Sequence, residues 1–170
     1  ALKIARDNPS RPVVFLGIGF ETTAPAVALS VLTARREGIH NYSVYSMHKL
    51  SPPILETILS SGTLDLQGLI CPGHVSTITG GKVWDPLARQ YGIPSVVAGF
   101  EPLDILQAVD MICAQLEAGS PRSEIAYSRG VTWEGNLRAQ EVMEEVFEPA
   151  DANWRGVGWV PDSGLAIREE

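Results

Sequence analysis

Four apolar runs in this chain each stop at a side chain able to do polar chemistry. Val13 to Phe20 stops at Glu21, Tyr42 to Met47 at His48, Leu66 to Gly73 at His74, and Ser95 to Phe100 at Glu101. Two carboxylates and two imidazoles could exchange protons, ligate Zn or Fe, or hydrogen-bond an anionic ligand. Hydroxyls stand beside them: Thr22 and Thr23 after Glu21, Ser76 and Thr77 after His74. Local ligand spacing such as HExxH is missing, so His48 and His74 serve as metal candidates only if separate strands bring them together. No Ser or Cys stands out as a nucleophile with a base and an orienting partner. A plainer role competes at every position, because a polar residue at a strand end can cap or brace the adjacent helix.

The elements that must position these residues are legible from pattern. Short, fully apolar runs separated by helical stretches read as buried parallel strands. "ETTAPAVALSVLTARREG" reads as a helix capped by Thr22 or Thr23 and ended by Gly38. "SPPILETILSSG" reads as a helix starting at Ser51, and "EPLDILQAVDMICAQLEAG" as one ending at Gly119. "VSTITGGKVWDPLARQYG" reads as a Gly-containing loop and then a short helix after Asp85-Pro86. The alternation predicts an α/β, Rossmann-like three-layer domain with a parallel sheet of at least four strands over residues 1–119. Residues 120–170 read as a C-terminal extension: an amphipathic helix at "LRAQEVMEEVFE", then strands around a turn at Pro161-Asp162. Three of the four Trp (Trp133, Trp154, Trp159) fall there, packed on the sheet domain or left as apolar surface.

In an open parallel sheet, ligands bind outside the carboxyl ends of the strands. Glu21, His48, His74 and Glu101 would then line one edge, among helix starts whose N–H groups favour an anionic or electron-rich ligand. "GIGFET" lacks the third glycine of a dinucleotide fingerprint, and Gly80-Gly81-Lys82 lacks the spacing and the Ser/Thr of a P-loop.

A net charge of −7 argues against a nucleic-acid partner, and no apolar stretch is long enough to span a bilayer. Two cysteines fit a reducing cytoplasm and cannot by themselves supply a four-thiolate iron–sulfur cluster. Cys113 follows the apolar rhythm of a helix and reads as core. Cys71 ends a strand beside Pro72-Gly73, where core packing and a ligand or redox role both stay open. Both ends of the chain read as cut from a longer protein.

"GFETTAP", "CPGHVSTITG" and "VVAGFEPLDIL" resemble, in order, motifs of the HypD family of hydrogenase maturation factors, and the likeness runs over essentially the whole chain. The resemblance implies an assembly scaffold more than a stand-alone enzyme. Together with the small chaperone HypC and the cyanide donor HypE, such proteins assemble the Fe(CN)2CO centre of [NiFe]-hydrogenases. It implies a [4Fe-4S] cluster in the full-length protein and an N-terminal Cys-Gly-Thr-His motif as iron-binding thiol, neither carried by these residues. No cofactor is expected in this chain. Its family motifs fall on Gly19 to Thr23, Pro72 to Ser76 and Gly99 to Pro102. Glu21, Thr22, Thr23, His48, Cys71, Gly73, His74, Ser76, Thr77 and Glu101 would line a cleft and orient ligands, with no catalytic residue among them. Two readings of other classes stand beside it: a hydrolase with a His/Glu metal site, and a partner-binding module without chemistry.

Overall fold

Alternating strand and helix signals carry over into the computed structural model, which describes residues 1–169. The order is α1 (Leu2–Asp7), β1 (Val13–Gly19), α2 (Ala24–Glu37), β2 (Tyr42–His48), α3 (Ser51–Ser60), β3 (Leu69–Pro72), α4 (Gly73–Thr79), a 3-10 turn (Lys82–Trp84), α5 (Asp85–Tyr91), β4 (Ser95–Ala98), α6 (Pro102–Ala118), β5 (Ser123–Ile125), α7 (Leu137–Val146), β6 (Phe147–Trp154) and β7 (Gly158–Ile167). All four predicted strands are present and every pairing among them is parallel. They do not form one sheet. β1 pairs with β2, whereas β3 pairs with β4 and β4 with β5. Each half therefore repeats the α/β arrangement at a smaller scale.

Two compact units result: Ala1–Ser51 with the segment from Arg138 onward, and Pro52–Leu137. The sequence suggested a division at Gly119 instead. The C-terminal hairpin crosses that division, because Gly164 of β7 bridges Lys49 just after β2 and the Leu50 N–H donates to the Ser163 carbonyl at 2.8 Å. Those backbone bonds tie the end of the chain to its beginning.

In the first unit, α2 lies against one face of β1–β2. Ala24, Val27 and Ala28 of α2 join Val142 and Val146 of α7, Phe147 and Leu165 in one core, with Phe15 and Val44 packed against it. In the second unit the sheet is covered on both faces, as parallel strands require. Cys71 and Val97 meet Val75, Trp84 and Leu87 on one side, and Val96 and Ala98 meet Ala108 of α6 on the other.

Three local expectations are corrected. "VSTIT" is helix rather than loop, and along it the Ser76, Thr77 and Thr79 hydroxyls donate back to the Pro72, His74 and Val75 carbonyls. The chain does not turn at Pro161-Asp162; it turns between Trp154 and Gly158. Pro161, Asp162 and Ser163 form a bulge instead, between the Ala152–Val160 and Ala150–Gly164 pairs, with Asp162 at φ 50°. Cys113 is exposed on α6, because that helix buries Asp104, Ala108 and Gln115 and turns Cys113 away. Among the described residues no helix is long and apolar enough to cross a membrane.

Candidate functional site

The four strand-end residues divide into two pairs, one in each unit: Glu21 with His48, and His74 with Glu101. Within each pair they end neighbouring parallel strands, since Gly19 faces His48 and Pro72 faces Ala98 in register.

Glu21 is buried, and its two carboxylate oxygens accept the Ser51 backbone N–H at 2.5 Å and the Ser51 hydroxyl at 3.0 Å. Ser51 opens α3, so the carboxylate braces a helix start. Burial pushes its pKa up, and the two Ser51 bonds oppose that. Thr22 is exposed, and Thr23 donates its hydroxyl to the Phe20 carbonyl at 3.1 Å.

His48 is buried against Phe147, ring centroids 5.6 Å apart. Its Nδ1 lies 3.1 Å from the Ser46 hydroxyl, whose single proton is donated to the Leu165 carbonyl at 2.6 Å. Ser46 can therefore only accept, and the proton of neutral His48 sits on Nδ1. The Nε2 lone pair is buried without a partner. Burial pushes the His48 pKa below its ordinary value of 6.5. Stability of the first unit should accordingly drop as pH falls through 6.5, where the unfolded chain takes up a proton that folded His48 refuses, and level off below its native pKa. Urea midpoints between about pH 8 and pH 5 measure this; His48→Gln should flatten the slope, and an identical slope in the variant would refute the assignment.

The second pair is built differently. α6 begins with a reciprocal capping box: the Glu101 side chain accepts the Asp104 N–H, and the Asp104 carboxylate accepts the Glu101 N–H at 3.4 Å. Arg129 clamps the buried Asp104 through both carboxylate oxygens, at 2.6 and 2.7 Å, and reaches Glu101 at 3.3 Å. That clamp holds the Asp104 carboxyl below its usual range. The Arg129 guanidinium also lies over the Tyr127 ring, 4.6 Å from its centroid. Tyr127 is wedged beside Gly73 and Gly99; a Cβ on either would come within 2.9 Å of its ring carbons. Asp104 lies inside the family-like run "VVAGFEPLDIL", but neither its role as the partner of Arg129 nor the roles of Arg129 and Tyr127 were readable from it. "YSRG" reads as a turn, and only the parallel pairing of β4 with β5 delivers it to this edge.

His74 is exposed at the start of α4, with its ring 4.8 Å from that of Phe100 in an edge-on contact. Of the two carboxylates and two imidazoles, the carboxylates brace helices and His48 is enclosed; His74 is exposed, and its ring nitrogens make no hydrogen bond among the described residues.

Two further candidates are structural. Ser76 is buried, donates to the Pro72 carbonyl and accepts the Trp84 indole N–H at 2.9 Å. Cys71 lies inside the core, and burial pushes its thiol up to about 12, so it is held as the neutral thiol at neutral pH. A thiol reagent should label Cys113 at once and Cys71 only on unfolding; equal rates in the native protein would contradict this placement. The two thiols do not fit an iron–sulfur cluster: one is in the core and the other lies on the exposed side of α6. Among the described residues, no group of three or more His, Cys, Asp and Glu could hold a metal ion.

Comparison with known proteins bears on what this edge serves. The family model HypD, described as "Hydrogenase formation hypA family", matches residues 1–170. The hydrogenase expression/formation protein HupD of Azotobacter chroococcum is 49% identical over 99% of this chain and 46% of its own length. Hydrogenase maturation factors HypD of Azotobacter vinelandii (48%, over 99% and 46%) and Cupriavidus necator (44%, over 100% and 47%) are similar. The chain thus spans about half the length of the curated relatives it matches.

Proposed function

The chain belongs to the HypD family of hydrogenase formation proteins, and we propose that it is the α/β portion of a scaffold on which the iron centre of a [NiFe]-hydrogenase is assembled. The iron with its cyanide and carbon monoxide groups is the cargo. HypC and HypE are the proposed partners and the cytoplasm the proposed compartment.

One observation carries this reading: two of the three motif segments shared with the family meet at one strand-end edge of the second unit, with His74 exposed there beside Phe100 and next to the braced Glu101. Cyanide bound to iron leaves its nitrogens able to accept hydrogen bonds, and an imidazole N–H is a suitable donor. Arg129 adds a cation at the same edge, half of it exposed, with its position set by Asp104 and Tyr127. This chain's own residues then orient and stabilise, while the iron-binding thiol and the [4Fe-4S] cluster belong to other parts of the family's polypeptide.

The test is complementation. Supplying the family-length protein that carries these residues to a cell lacking its own HypD should restore hydrogenase activity. The purified protein should bring down a HypC-like chaperone and show infrared bands of iron-bound cyanide. Normal accumulation of the protein with no hydrogenase activity would overturn the proposal.

A further inference from the structure

In the first unit β1 is exposed both through its side chains and through its backbone. Val14, Leu16 and Ile18 are 61%, 57% and 66% exposed, and Tyr45, opposite Leu16 on β2, is 61% exposed. They share one face of the two-stranded sheet, while α2 covers the other. The Val13 N–H donates to the Asn41 carbonyl at one end, and the Lys49 N–H to the Gly19 carbonyl at the other. In a parallel ladder these bonds set the phase: Val13, Phe15, Gly17 and Gly19 turn their backbone groups to β2. Val14, Leu16 and Ile18 turn theirs to the opposite edge, with which no strand among the described residues pairs.

Parallel strands are buried on both faces in folded proteins, and edges left open are guarded by Lys, Pro or a bulge. β1, VVFLGIG, has none of these. β3 differs: its outward positions are only Ile70 and Pro72, and Pro72 has no N–H to offer. We propose that β1 is an interior strand, completed along its free edge by a strand of the same protein from the part of the family's polypeptide outside these residues. That part exceeds half of the relatives' length. A second copy of this chain fits less well. Pairing β1 with β1 edge to edge satisfies the backbone but leaves Val14, Leu16, Ile18 and Tyr45 facing water in both copies. A strand–helix unit that winds against the β1-to-β2 direction places its helix on this very face, because crossovers keep one hand.

Amide hydrogen exchange, comparing the 170-residue chain with the family-length protein, tests this. Phe15 and Gly17 should exchange slowly in both. Val14, Leu16 and Ile18 should exchange at least ~100-fold more slowly in the longer protein. Leu16→Lys should lower the melting temperature of the longer protein and leave that of the short chain unchanged; the exchange measurement stands even if that variant does not fold. Equal exchange in both proteins overturns the proposal. So does protection in the short chain that disappears on dilution, which would make a second copy the occupant.

Discussion

Replacing His74 by Ala in the family-length protein is expected to cut hydrogenase maturation roughly 10–100-fold, the range seen when a group that orients a metal's ligands is lost. Stability should change by at most about 1 kcal/mol, since the exposed ring gives up only its edge contact with Phe100. Hydrogenase activity in complemented cells is read beside the melting curve of the purified variant. Full maturation would reduce His74 to a surface residue. A loss of folding large enough to explain the lost activity would make it a brace like Glu21. Phe100→Leu offers a control, because it removes the ring partner and leaves the imidazole in place.

One residue earlier the expectation reverses. Gly73→Ala should destabilise the second unit by about 3 kcal/mol, although the glycine itself carries no group able to bind a ligand. A Cβ on Gly73 would sit 2.3 Å from the Ala98 carbonyl oxygen and 2.9 Å from Tyr127 Cδ1. The first is the backbone of the neighbouring strand and cannot rotate away. Tyr127 in turn is pressed against Gly99 and Gly130. The β3–α4 turn would have to move off β4, and Tyr127 with it. Urea unfolding of wild type and variant, at equal m-values, measures the cost. A variant as stable as wild type would mean that the turn is free to shift. The contrast between positions 73 and 74 separates what builds the edge from what it presents.

Much of this was legible in the residues themselves. Apolar runs of strand length, helix starts at Ser51 and Pro102 and stops at Gly38 and Gly119 report local physics, so the α/β class and the parallel pairing followed from pattern. The family motifs likewise located the strand ends. Partition of the strands into two sheets was not legible, because no local signal distinguishes a strand that pairs with its predecessor from one that starts a new sheet. The attachment of the C-terminal hairpin to the first unit is equally long-range, since Ser163 and Gly164 reach Leu50 and Lys49 across more than a hundred residues. The roles of the polar residues were equally nonlocal. Glu21, His48, His74 and Glu101 occupy equivalent places in sequence. Tertiary structure alone commits Glu21 to Ser51, encloses His48 behind Phe147, and brings Arg129 onto Glu101 and Asp104, whereas the capping box between those two is local. His74 is left exposed because its neighbour Gly73, and not its own side chain, makes the close contact with β4.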